Sequence, residues 1–331
     1  MSSLTRPAAA LAAAILTAAL ATACDPSGDK APANGAPPAT TTVSPAGQGG
    51  SGGGTGTGAT AAKTVQIGRT VYKGGLKFEV KSATYTPGDA TSGSYKLVID
   101  TAVTNTFKTG AIRDWPDIAI DIAGTPITGD PGTAVPPTPG ATNPLPLTFS
   151  AYTSAGHPFS FDGASLVLGD AAEAQAVVPL GKGGREAVDL KPVDLTLPTP
   201  ALTSGRLTLT LKYAQLRADY GDGGGVTALK RGQRSLLVVF DMKGNVGPAG
   251  MAVDGSMLRL RLPGGQEVGP TRAPIEAIYP DHPLFQNEAA WFVFDGATDG
   301  DYTLSVTDAP DAAPATAAFH ATDLKSSGPL G

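Results

Sequence analysis

Cysteine is almost missing from this chain. One Cys among 331 residues excludes any disulfide within the chain and any cluster of thiolates around zinc. The three histidines leave little material for imidazole metal sites. Charge is also thin. Only 16% of residues are Asp, Glu, Lys or Arg, and the balance of 24 basic against 29 acidic side chains leaves a net charge of −5. Nucleic-acid binding needs a concentrated basic face, and this composition argues against it. No run reaches 18 apolar residues, so no transmembrane helix is expected in the mature chain. No G-x-S-x-G occurs in the strand-to-helix context of a nucleophile elbow, so a Ser–His–Asp hydrolase would lack its nucleophile turn, and no enzyme is expected. Present instead are 43 Gly and 29 Pro, a level that marks disorder somewhere, and 41% hydrophobic residues, enough for cores elsewhere. The length suits two domains at roughly 100–200 residues each.

Residues 1–23 read as an export signal. Arg6 supplies the positive start, and Ala8 to Leu20 is an uncharged apolar run of about 13 residues, the size of a signal core and short for a membrane span. The run ends in Leu20-Ala21-Thr22-Ala23-Cys24, which resembles the lipobox of bacterial lipoproteins, with Leu20 four places before the Cys instead of the usual three. That resemblance implies a diacylglyceryl group on Cys24. Its two acyl chains would hold the mature chain stably at the extracytoplasmic face of the cell membrane. The competing reading is ordinary secretory cleavage after Ala23, with a free Cys24.

Residues 24–62 lack apolar periodicity. They are Pro/Ala/Thr-rich and then Gly/Ser/Thr-rich, and cannot bury enough surface to offset their conformational entropy. A disordered leash with a span of about 35 Å is expected, a wall-spanning or glycosylated stalk being the rival reading.

Beyond residue 62 the signal is β. Leu76, Phe78 and Val80 alternate with polar residues, and Leu207, Leu209 and Leu211 repeat the pattern. Residues 95–100 resemble residues 235–240, and Ile118, Ile120 and Ile122 resemble Leu258, Leu260 and Leu262. The sharpest match is Phe159-Ser160-Phe161-Asp162-Gly163-Ala164 against Phe292-Val293-Phe294-Asp295-Gly296-Ala297. In each, the two Phe are expected on one buried face of a strand, with Asp-Gly in a turn. The colinear series reads as a tandem duplication, with units at 63–198 and 199–325, a Pro hinge at residues 197–200 and a disordered tail at 326–331. The expected fold is all-β, two tandem immunoglobulin-like antiparallel sandwiches after the leash.

Few residues suggest chemistry. Asp219 and Asp222 sit in an Asp/Gly-rich loop that resembles a weak Ca²⁺ site, though a flexible hairpin loop is the competing reading and no other cofactor is expected. Asp295, Asp299 and Asp301 form a second acidic group. Trp115 between Asp114 and Asp117 is a candidate contact for carbohydrate or protein, against core packing as the alternative; Trp291 is expected in the core. His157, His282 and His320 read as exposed loop residues, and Met242, Met251 and Met257 as core filler.

Gly75 to Ala83, the strand end Val103-Thr104-Asn105 and the Val178-Pro179 pair resemble secreted, lipid-anchored immunoglobulin-like proteins of high-GC Gram-positive bacteria. The resemblance implies a β-sandwich at the cell exterior and supplies no catalytic residues. The expected function is non-enzymatic binding or adhesion through sandwich loops to an envelope protein or glycan. A structural or accessory envelope role is the alternative, and a metal carrier a weaker one.

Overall fold

Short apolar–polar alternations punctuated by Gly and Pro can bury one face of a strand, and the chain folds accordingly. A computed structural model describes residues 61–88, 93–108, 112–152, 159–197, 201–221, 225–322 and Leu324. The signal, the Cys24 site, the leash up to residue 60 and the tail from 325 lie outside the described residues.

Eight strands build the first half: β1 (Lys63–Lys73), β2 (Leu76–Pro87), β3 (Ser94–Asn105), β4 (Ile118–Ile122), β5 (Thr125–Thr128), β6 (Thr142–Tyr152), β7 (Ala164–Leu168) and β8 (Ala176–Pro179). They form two antiparallel sheets, ordered β1-β2-β3-β6 and β5-β4-β7-β8. The chain continues through β9 (Val193–Leu195), β10 (Ala201–Ser204), β11 (Leu207–Arg217), β12 (Asp219–Gly221), β13 (Val226–Ala228), β14 (Gln233–Gly244) and β15 (Met251–Val253). It ends with β16 (Leu258–Arg261), β17 (Glu267–Val268), β18 (Glu276–Ile278), β19 (Leu284–Asp295), β20 (Gly300–Val306) and β21 (Ala315–Ala321). The orders β10-β11-β14-β19 and β17-β16-β20-β21 repeat those of the first half. The β12–β13 hairpin and the β15–β18 pair are additions of the second half.

The fold is therefore all-β, with two immunoglobulin-like sandwiches in tandem. Their strand order keeps three consecutive strands together in a meander, whereas an antibody domain joins its second and fifth strands. With no disulfide, packing between the facing sheets holds each sandwich together. Phe78, Leu97, Ile99, Leu147 and Phe149 meet Ile120, Leu166 and Val178 in one core. Leu209, Leu236, Phe240 and Phe292 meet Leu260, Tyr302, Leu304 and Phe319 in the other. Met242 and Met251 fill this second core as expected.

One irregularity recurs in both copies. In β2 the pairing with β3 skips Lys81, and in β11 the pairing with β14 skips Lys212. Leu76, Phe78 and Val80 point inward, and the next inward residues are Ala83 and Tyr85, three and five places on from Val80. A regular strand would turn one of these sets toward solvent; the extra residue of a bulge restores the common face. The second copy does the same with Leu207, Leu209 and Leu211 followed by Ala214 and Leu216.

The ladders correct two alignments read from the sequence. Leu97 pairs with Phe149 where Leu236 pairs with Phe292, so residue 97 corresponds to 236 and the match of 95–100 with 235–240 is out by one position. A slip of one would exchange inner and outer faces, so packing chooses the offset. The same pairing makes Phe149 the counterpart of Phe292. Phe159 and Phe161 are not on a strand at all: they lie half-buried in the crossover between β6 and β7. The Phe159 ring stacks on Tyr85 and stands edge-on to Phe161, with centroids 5.2 Å apart in each pair. The Asp-Gly turns are real. Gly163 and Gly296 have φ of 80° and 71°, and the Asp162 carboxylate accepts the Lys182 N–H at 2.8 Å. Asp295 instead accepts from the Gln233 amide at 3.2 Å.

The chain also passes from one core to the other earlier than the Pro-rich hinge. Leu190 packs in the first core, while Leu195 packs in the second and β9 pairs with β11. Residues Gly56–Gly331 form one compact unit.

Core position sets the mutational cost. Phe149→Ala is expected to destabilise by about 3–5 kcal/mol, the usual range for a fully buried ring. Phe161→Ala, which removes a half-buried ring, is expected to cost roughly 1–2 kcal/mol. Urea unfolding of both variants checks the order; equal losses would contradict the assignment.

Candidate functional site

The two copies diverge on one surface. The outer face of the first sandwich carries Ser82, Thr84, Val98, Asp100, Pro146 and Thr148. At the matching ladder positions the second carries Tyr213, Gln215, Leu237, Val239, Ala289 and Trp291. A face that one copy leaves polar is apolar in the other. Leu237, Val239 and Trp291 are buried there and form their own cluster with Phe107, Tyr213, Tyr220 and Ala289, separate from both cores. Trp291 is thus buried, but on the opposite side of its sheet from the second core.

Phe107 reaches this cluster from the loop that follows β3 of the first sandwich. Its ring stands edge-on to Trp291, with centroids 6.0 Å apart and planes at 74°. The Arg217 guanidinium lies 4.4 Å from the Phe107 centroid, and the Lys108 ammonium 4.3 Å from that of Tyr213. Both distances fall within cation–π range.

Arg217 also organises the junction. Its Nε donates to Asp219 Oδ1 at 2.7 Å, and both side chains are almost fully buried. Asp219 Oδ2 accepts the Gly75 N–H at 2.7 Å, across the junction. Arg217 further donates to Gln215 at 2.9 Å and to Thr106 at 3.3 Å. Gly75 has φ of 75°, and a Cβ there would stand 2.2 Å from the Phe107 ring, so glycine alone suits the position. The two oxygens of Asp219, the residue read from the sequence as a weak Ca²⁺ ligand, neutralise a buried guanidinium and bind a backbone N–H. Asp222 lies outside the described residues.

Phe107, Tyr213, Leu237, Val239, Ala289 and Trp291 line a cleft of about 340 Å³, with Arg272, Pro274 and Gly221 at its rim. Arg272 bridges Trp291 as a short antiparallel pair, which places it on the same face, and its guanidinium donates to the Gly221 carbonyl at 3.3 Å. The Trp291 indole N–H has no hydrogen-bond partner among the described residues. Burial raises the Tyr213 phenol above its ordinary value, with Arg217 opposing and Asp194 adding, so it stays a neutral donor. Glu288, by its register with Phe240, belongs to the inner face; burial and then repulsion from Glu276 raise its carboxyl. The cleft thus joins an apolar aromatic floor to a rim that holds one cation, Arg272, and one acidic residue, Glu288.

The other residues singled out from the sequence are dispersed. Trp115 is half-buried against the first core, and its indole N–H donates to the Ala134 carbonyl at 2.7 Å, a structural role. Asp114 and Asp117 are exposed beside it, and neither is among its bonding partners. His320 contacts Asp301 at 2.7 Å on the surface, and exposed His282 packs edge-on against Phe285 at 4.8 Å. His157 lies outside the described residues. No group of three or more His, Cys, Asp or Glu that could hold a metal occurs among the described residues. No helix among them is long and apolar enough to cross a membrane.

The chain matches no family model, no curated protein and no solved structure.

The junction gives a direct test. Asp219→Ala strands a buried guanidinium and a backbone N–H, and is expected to cost about 3–5 kcal/mol. The pair Arg217→Met with Asp219→Leu is expected to recover part of that loss in chemical denaturation. A loss below about 1 kcal/mol for Asp219→Ala would remove the junction role.

Proposed function

We propose that this protein is a lipoprotein, anchored through Cys24 at the extracytoplasmic face of the cell membrane, that binds an envelope partner without catalysing a reaction. The observation that carries the binding role is the conversion of one outer sheet face from polar to apolar between two otherwise matching copies. A sheet face needs no Trp, Leu, Val and Tyr to stay folded in water, since the first copy folds with Thr, Val, Asp and Ser at those positions. Apolar groups gathered in a cleft with a few polar groups at its edge are the usual form of a ligand site.

Occupancy follows from the lining. Leu237, Val239 and Ala289 offer an apolar floor, one indole N–H, one phenol, Arg272 and Glu288 border it, and Lys108 stands over the Tyr213 ring. This suits a protein segment that inserts an apolar side chain and carries an acidic residue beside it. A glycan would ask for more hydrogen-bonding groups across the floor. The reading of anchoring rests on the apolar run Ala8 to Leu20 and the small residues before the single Cys.

Two measurements test it. Cys24→Ser is expected to move the protein from the detergent phase to the aqueous phase on partitioning; retention in the detergent phase would sink the anchor. A photoreactive amino acid at Ala289 is expected to give a discrete crosslinked protein adduct in intact cells. The same group at Thr148, the matching position of the first copy, is expected to give none. Identical patterns from both positions would remove the cleft from the argument, and a glycan adduct would replace the protein partner.

A further inference from the structure

A second divergence lies at one end of the sandwiches. In the first copy Tyr85, Tyr95 and Phe159 close that end, with ring centroids 5.2 to 5.6 Å apart. The ladders place Leu216 where the first copy has Tyr85, and Arg234 where it has Tyr95. One ring of an aromatic cluster has been replaced by a cation.

That cation is only 7% exposed. Its guanidinium makes no hydrogen bond and no ion pair among the described residues, although no sealed side-chain polar atom there is left unpaired. Its nitrogens therefore open on a cavity. Asp219 is the acidic group that favours its charge, yet both Asp219 oxygens are already engaged by Arg217 and the Gly75 N–H. Burial consequently pushes the Arg234 guanidinium below its ordinary value. An ionised group withdrawn from water without a partner is unfavourable, and proteins pair such charges.

The cavity has a volume of about 270 Å³ and is lined from both halves of the chain. Gln175 and Arg185 come from the first half, Arg231 and Arg234 from the second. Arg185 donates to Gln175 at 2.9 Å and stands 3.7 Å from Asp121; Arg231 donates to the Ala171 carbonyl at 3.2 Å. Each guanidinium has five N–H donors, so these bonds leave others free to face a ligand. Among the lining residues three cations stand against one carboxylate, that of exposed Glu186.

We infer that this cavity is a binding site for a phosphate-type oxyanion, held by Arg234 and completed by Arg231 and Arg185. The lining charge favours a dianion over a single carboxylate. The planar guanidinium fork matches two phosphate oxygens at once. Nothing in this inference depends on the apolar cleft or on the membrane anchor, so either can fail without the other.

Calorimetric and thermal titration of the purified full chain tests it, in low-salt buffer free of phosphate. Inorganic phosphate is expected to bind with one saturable site and to raise the unfolding midpoint by about 5 °C at a hundredfold excess over Kd. Acetate at matched ionic strength is expected to do neither. Arg234→Met, which keeps bulk and removes charge, is expected to raise the midpoint without phosphate and to abolish its effect. A purely structural arginine would behave oppositely, the variant losing stability in both buffers. Arg231→Gln, at an exposed position, is expected to weaken phosphate about tenfold while preserving the fold. Glycerol phosphate binding as well as phosphate identifies a soluble ester. Saturable binding of Cys24→Ser protein to phosphatidic acid vesicles, absent with phosphatidylcholine and lost in Arg234→Met, assigns the site to a lipid headgroup. No saturable binding of any phosphate, or binding unchanged in both arginine variants, overturns the inference.

Discussion

Two buried charges hold the halves of this protein in register. Arg217 and Asp219 leave water together, and the desolvation of each ion costs several kcal/mol unless its hydrogen-bonding capacity is filled. Here it is filled: Arg217 bonds Asp219, Gln215 and Thr106, and the second Asp219 oxygen takes the Gly75 N–H. Thr106 and Gly75 belong to the first sandwich, so satisfying the pair requires the junction to close. The close approach of Gly75 to the Phe107 ring then fixes where that ring enters the apolar face of the second sandwich. Both the aromatic cleft and the arginine-lined cavity draw residues from each side of this junction.

The two copies share strand order, sheet pairing and even a bulge at corresponding lysines. Such agreement identifies what the fold needs: inward apolar residues and a parity change at one place in the second strand. Positions where the copies disagree are free of that need. Thr148 against Trp291, Asp100 against Val239 and Tyr95 against Arg234 are disagreements of chemical class. They converge on two concavities.

Much of the architecture was legible along the chain. Alternation marked β2 and β11, the series Ile118, Ile120 and Ile122 marked β4, and Met242 and Met251 were recognisable as core filler. The repeated hexapeptide misled because local sequence carries no register: Phe159 and Phe161 look like Phe292 and Phe294 but stand past the end of their strand. Asp219 looked like a loop ligand because its partners, two and 144 positions away, include a backbone N–H that composition does not reveal. Trp115 looked like a contact residue because its acceptor, Ala134, is a carbonyl on another loop.

By itself, the order of residues determined the all-β class, the tandem duplication and which residues have the character to be buried, because strand periodicity and turn chemistry act over a few neighbouring positions. Only the tertiary structure decided which of two sheet faces each apolar residue joins, which buried charge finds a partner, and which does not. Those outcomes depend on ladder register and on contacts between segments more than a hundred residues apart, where a one-residue shift exchanges inside for outside.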